Sequence, residues 1–189
     1  MWALVEDNNI TRIFRRAQGF TLNDTQYGVD IFKLWSIEEQ EAIGLYEVQT
    51  DASNIKDDRF YDNGSESFTF ADGVVTQSWS EATAKPLDDV LWAADDVDLP
   101  NDDYIGQIKI NGLKPFHKSK INLIAGELLS KTDWYVLRET DGGTAVPANI
   151  ATYRAAIRTK ANEHHTSIDG VSDVDALAAL VYDWPTLGE

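Results

Sequence analysis

Few residue types in this chain could do covalent or metal chemistry. It has no cysteine, so thiolate nucleophiles, thiolate metal sites and disulfides are excluded. The first candidate is His164-His165, beside Glu163 and Asp169. Adjacent histidines on a helix point about 100° apart, so the pair does not converge on one metal ion by itself. The simpler reading is a solvated helix end, where a histidine is favoured by the helix dipole. The second candidate is the set Asp95, Asp96, Asp98, Asp102 and Asp103. Calcium takes about six to eight oxygen ligands, often from alternate loop positions. Asp96-Val97-Asp98 has that alternation, but neither the glycine nor the closing glutamate of a calcium loop follows. Gly142-Gly143 lacks the Lys-Ser/Thr of a phosphate loop and reads as a turn. Ser36, Ser130 and Ser172 sit at helix ends, none in a nucleophile elbow. Acidic pairs for glycosidic hydrolysis carry no signal where acids are everywhere. The expectation is a protein that is not an enzyme and uses no metal or cofactor.

The six tryptophans offer more. Trp2, Trp35 and Trp79 are expected in an N-terminal core. Trp134 and Trp184 bracket a helical region. Trp92 stands among aspartates with Val90 and Leu91, which makes it a candidate anchor for a partner protein. The alternative is that its indole folds back onto its own strands.

The elements that must position these residues fall into three parts. The predicted class is α+β: a small N-terminal antiparallel β domain with one short helix over residues 1–83, an acidic linker over 84–103, and a strand plus helical docking module over 104–189. In the first part Trp2–Val5 and Ile10–Phe14 form a hairpin about Glu6-Asp7-Asn8-Asn9, with Ile10 and Phe14 expected on one face. Phe20 and Leu22, then Tyr27, Val29 and Ile31, alternate as a second strand pair around Asn23-Asp24. Ser36-Ile37-Glu38-Glu39 is a capping box that opens a helix to about Ile43, stopped by Gly44. Asp72-Gly73 between apolar runs is a hairpin turn. Residues 84–103 crowd seven aspartates, with Pro86 and Pro100 as breakers, and like charges this dense disfavour compaction.

In the third part Tyr104–Ile110 alternates as a strand. Ile121, Ile124, Ala125, Leu128 and Leu129 share one face of a helix from about Lys118 to Leu129, ended by Asp133-Trp134. Pro147 starts the next helix, with Ile150, Tyr153, Arg154, Ile157 and Ala161 as its stripe, broken at Ser167–Gly170. Val171-Ser172-Asp173 caps a last helix from Val174 to Val181.

The net charge of −16 argues against nucleic acid and anionic membrane as partners and suits a basic protein partner. No segment approaches the roughly 18 apolar residues of a membrane span. The N-terminus lacks a basic region before an apolar run, which predicts no signal peptide.

Leu128-Leu129, then Thr132-Asp133-Trp134, then Tyr153-Arg154-Ala155-Ala156-Ile157-Arg158 is similar to the tail-fibre assembly and tail-assembly-chaperone proteins of tailed bacteriophages. The likeness covers roughly residues 118–160, with Trp184-Pro185 at the end. It implies a protein–protein role at a phage tail, with assembly in the bacterial host cytoplasm and location in the virion tail. The partners would be other tail or fibre proteins, and a homo-oligomer within a symmetric tail would fit. Two roles follow from it: a structural component of the tail, or a fibre-assembly chaperone not retained in the particle. The N-terminal β domain and acidic segment depart from the short chaperones and favour the structural role. The resemblance places Trp134 in the helix corner and Tyr153, Arg154 and Arg158 along one helix as partner-binding residues. Arg154 and Arg158 are one turn apart and could meet acidic groups.

Overall fold

The computed structural model describes residues 1–187. They divide into two units, residues 1–83 and residues 84 onward, each with its own core.

Unit one is built on a five-stranded sheet in the order β2-β1-β5-β8-β7. Strands β1 (Trp2–Glu6) and β2 (Asn9–Phe14) form the expected hairpin, with Asp7 and Asn8 at φ 50° and 61°. Strands β3 (Phe20–Leu22) and β4 (Thr25–Tyr27) form a separate hairpin through Asn23-Asp24. The short helices α1 (Ile31–Leu34) and α2 (Ile37–Glu41) follow, then β5 (Leu45–Thr50), β6 (Tyr61–Asp62), β7 (Glu66–Ala71), β8 (Val74–Trp79) and β9 (Thr83–Ala84). The Asp72-Gly73 turn joins β7 to β8 as expected.

Strand β1, inside the sheet between β2 and β5, is covered on both sides. Leu4 joins Phe14, Phe20, Ile31, Phe32 and Leu45 in one cluster, while Ala3 and Val5 join Val48 and Val75 in another. Burial on both faces explains the unbroken run Ala3-Leu4-Val5. The first cluster is aromatic: Trp2 meets Phe32 edge-on at 4.9 Å, and Phe20 stacks on Tyr27 at 5.3 Å.

Four features differ from the sequence expectation. The pairing of β5 with β8 is parallel, so the sheet is mixed rather than wholly antiparallel. Ile10 and Phe14 serve opposite faces. Thr11 is an extra residue between the pairs Leu4–Arg12 and Val5–Ile10, and such a bulge turns the alternation over. Ile31 opens α1 instead of ending a strand. A helical turn lets the adjacent Ile31 and Phe32 enter the same cluster, which a strand would split between faces. Trp79 stands partly buried at the end of β8, opposite Glu66, rather than among the aromatic rings of the first cluster. The capping box forms as read, with Ser36 Oγ accepting from the Glu39 amide and Glu39 accepting from the Ser36 amide at 2.8 Å.

In unit two, β10 (Val90–Leu91) pairs with β11 (Ile108–Ile110), with a short 3-10 turn at Asp102–Tyr104 between them. Helices α3 (Leu113–Ser130), α4 (Asp133–Thr140), α5 (Ala148–Gly170) and α6 (Val174–Ala178) follow. Ile121 and Ala125 of α3 are buried, as are Ile150, Ile157, Ala161 and Ile168 of α5 and Leu177 of α6. Asp173 caps α6 as expected, accepting from the Ala176 amide at 2.8 Å.

The segment 84–103 is not a free linker. Its backbone closes the N-terminus of α3: the Leu113 and Lys114 amides donate to the carbonyls of Pro86 and Leu87 at 2.9 and 2.8 Å. The Gly112 amide donates to Asp89 Oδ1 at 2.7 Å. These are among the amides that a helix start leaves without an internal partner. Gly112 has to be glycine here, because a Cβ would lie 2.3 Å from the Asp88 backbone. Helix α3 therefore begins at Leu113, ahead of the expected Lys118, and takes in the basic patch. Among the described residues no helix is long and apolar enough to cross a membrane.

Candidate protein-docking site

The residues singled out in sequence all lie in unit two, but they play different parts. Arg154 is buried at the corner where α3 ends and α4 begins. Its Nη1 donates to the Leu129 carbonyl at 2.8 Å and to Thr132 Oγ1 at 2.7 Å, and lies 2.8 Å from Asp133 Oδ1. Thr132, almost fully buried, also donates to the Leu129 carbonyl at 2.9 Å. The guanidinium thus satisfies an end-of-helix carbonyl and fixes the turn between helices. Arg158, one turn later, is exposed. The two arginines do not form one displayed basic face, because the first is consumed inside the corner.

Trp134 was expected to fill that corner. It does not: the residue is 51% exposed, and Thr132 and Arg154 occupy the interior instead. The reason is that Thr132-Asp133 opens a further helix rather than ending α3. Asp133 stands in the first turn of α4, Arg138 in the last, and Gly142 follows at φ 79°. On this helix Trp134 points outward. Its ring lies 3.7 Å from that of Tyr135, and the Arg138 guanidinium sits 4.9 Å from Trp134 and 5.4 Å from Tyr135. Leu137 is 68% exposed, and α4 buries no residue at all.

Beside this ladder lies a groove of about 410 Å³. Its walls are Leu128 and Lys131 at the end of α3, Trp134 and Tyr135 of α4, Tyr153 of α5, and the tail from Pro185 to Leu187. The tail is fastened upstream. His164 donates from Nε2 to the Asp183 carbonyl at 2.8 Å, and its ring meets Tyr182 and Trp184 edge-on, each at 5.2 Å. Lys160 pairs with the Asp183 carboxylate at 3.1 Å, which holds that carboxyl below its usual range. His164 is therefore a buried tail anchor and not a solvated helix end. Burial raises the Tyr182 hydroxyl, which lies 3.1 Å from His117 Nδ1.

Trp92 follows β10 and is half-buried. Its amide donates to the Gln107 carbonyl at 2.9 Å and its carbonyl accepts from Gly106 at 2.9 Å. Lys109 Nζ lies 4.4 Å from the indole centre and bridges to Asp96 at 2.5 Å. That pairing, with a further hydrogen bond from the Ala93 amide, lowers the Asp96 carboxyl. The indole is folded back onto its own strands.

Of the candidates, the structure brings Trp134 and Tyr153 to one groove, sets Arg154 behind it, and leaves Arg158 and Trp92 apart from its lining. Tyr135, Leu137 and Arg138 were not anticipated. Their signal was present in the spacing Trp134-Tyr135-x-x-Arg138, legible once Thr132-Asp133 is taken as a helix start. Among the described residues no three His, Asp or Glu side chains gather into a metal-holding set. No family model, curated protein or solved structure matches the chain.

Proposed function

We propose that this chain is a bacteriophage tail-associated structural protein that binds other tail or fibre proteins, without catalytic chemistry, through the outward face of α4. The observation that carries this reading is a helix with no buried residue that displays Trp134 and Leu137. Tryptophan, tyrosine and arginine are the side chains that most often dominate binding energy at protein interfaces. Here they already lie against one another, so little side-chain freedom remains to be lost on docking. The tail context is supported by the two stretches of the resemblance. Thr132-Asp133 and Arg154 are bonded to each other, so both belong to one structural device.

The test combines mass spectrometry of purified phage particles with a Trp134→Ala variant. A stoichiometric band in particles, and loss of particle incorporation by a variant that still folds, are the expected results. Absence from the particle with retention on a fibre protein in infected cells would replace the structural role with a chaperone role. No association with either would overturn the reading.

A further inference from the structure

Helix α3 carries a second face besides the one that builds the fold. Ile121 and Ala125 are buried, on the side that packs against α5. On the opposite side Phe116, Ser119, Leu123, Gly126 and Ser130 recur at alternating steps of three and four residues, the spacing of a helix–helix seam. Phe116 is 51% exposed and Leu123 64%, and the three small residues between and after them are exposed as well.

Nothing within the chain requires Gly126 to be glycine. It stands in the interior of α3, where glycine is among the poorest helix formers, and a Cβ added there would meet nothing within 4 Å. On an exposed helix face, a missing side chain lets another backbone come close. Lys120 and Glu127 lie along one edge of the same face. Lys120 Nζ sits 4.3 Å from the centre of the Phe116 ring. Both side chains are exposed, and among the described residues neither has an ion-pair partner.

This face is complementary to itself. When two such helices pack antiparallel at this spacing, Leu123 of each copy falls opposite Gly126 of the other, and Lys120 of each falls beside Glu127 of the other. Large meets small and cation meets anion, each twice, about one two-fold axis. That is the pattern of an isologous contact, in which one patch serves both partners. A second copy brings a second charge of −16. At physiological salt, exposed charges more than about 8 Å apart are largely screened, whereas the two ion pairs lie at contact distance.

We infer that the outer face of α3 pairs with the same face of a second copy of the chain, antiparallel and centred on Leu123 and Gly126. This stands independently of the α4 reading, since it uses different residues. One helix pair buries less than the roughly 1,600 Å² of a standard interface, so monomer and dimer exchange.

The test is sedimentation equilibrium of the full-length chain at physiological salt, over about 5–500 μM, the range in which a small interface dissociates. The expected result is a monomer–dimer equilibrium. Lys120→Glu and Glu127→Lys should each weaken it about tenfold or more, because like charges then face each other. Glu127→Lys lowers the net charge, so its loss of pairing separates local charge from overall repulsion. A one-to-one mixture of the two variants should dimerise again, since both ion pairs re-form between them. Gly126→Leu keeps every charge and should abolish the dimer, with helical circular dichroism no lower than that of the parent. A parent chain that stays monomeric throughout would overturn the inference. So would a dimer that survives Gly126→Leu, a mixture that does not pair, or a dimer that Trp134→Ala removes.

Discussion

Helices α5 and α4 stand side by side in the chain and are used in opposite ways. Helix α5 buries seven of its residues, from Ile150 to Ile168. Helix α4, with a tryptophan, a tyrosine, a valine and a leucine in eight residues, buries none. Composition does not separate them, since both carry apolar and charged side chains. What separates them is spacing. In α5 the apolar residues recur at three and four positions and make a stripe that closes on α3. In α4 the apolar residues run consecutively from Trp134 to Leu137 and therefore spread around the helix. A helix so patterned cannot bury all its apolar surface against one neighbour. The stripe builds the fold, and the spread is available for contact with another protein.

Several substitutions break or sharpen this contrast. The largest effect is expected from Ile157→Ala, at the fully buried centre of α5. It should destabilise unit two by about 3–4 kcal/mol, read from denaturant unfolding, as large-to-small core changes do. A cost under about 1 kcal/mol would deny that the α3–α5 seam holds the unit. Next comes Arg154→Ala, which removes one donor from the Leu129 carbonyl and the donor to Thr132 Oγ1, and leaves the Thr132–Leu129 bonds in place. About 2 kcal/mol is expected, for the lost charge-assisted hydrogen bonds. A combined Arg154→Ala and Thr132→Val variant should cost less than the sum of the two singles, since both changes remove the same Arg154–Thr132 bond. Strict additivity would show that the corner is not one device.

Smaller again in stability is Trp134→Ala. Its expected cost is under about 1 kcal/mol, in the range of surface changes. Its expected effect on partner affinity is a loss of about 2 kcal/mol, the scale of an interface hot spot. A cost of about 3 kcal/mol or more in the isolated chain would put the indole back inside the corner.

The smallest effects are electrostatic. Lys109 holds the Asp96 carboxyl below its ordinary range, and Lys160 does the same for Asp183. A carboxyl lowered on folding adds stability above its unfolded pKa, near about 4, and that contribution is lost as pH falls through the folded value. Thermal unfolding followed down to about pH 2.5 should therefore show a falling midpoint below about pH 4. Asp96→Asn and Asp183→Asn should each flatten that fall slightly. A parent midpoint that does not fall there would contradict these pairings.

Much of the fold was legible where local chemistry decides it. The turns at Asp7-Asn8, Asn23-Asp24 and Asp72-Gly73 need residues that accept positive φ, and the capping box at Ser36–Glu39 needs only four residues to form. The misreadings arose where distant groups decide. Seven aspartates suggested a solvated tether, yet the segment's backbone carbonyls close α3, and backbone bonds leave no trace in side-chain composition. Thr11 reads like any strand residue, and only its pairing makes it a bulge. His164 is buried because a tail nineteen residues later returns to it. At the candidate docking site, Trp134 and Tyr153 were legible as aromatic residues on a helical module. Which of them would face solvent was not, because that depended on whether Thr132-Asp133 ends one helix or starts another.

The central claim is that α4 is displayed for another protein. It is tested most directly by placing a photocrosslinking amino acid at Leu137 and, as a control, at Asn162 on the exposed side of α5, in phage-infected cells. The account predicts adducts from position 137 to a tail or fibre protein, lost on Trp134→Ala, and none from position 162. Equal adducts from both positions, or none from position 137 in assembled particles, would contradict it.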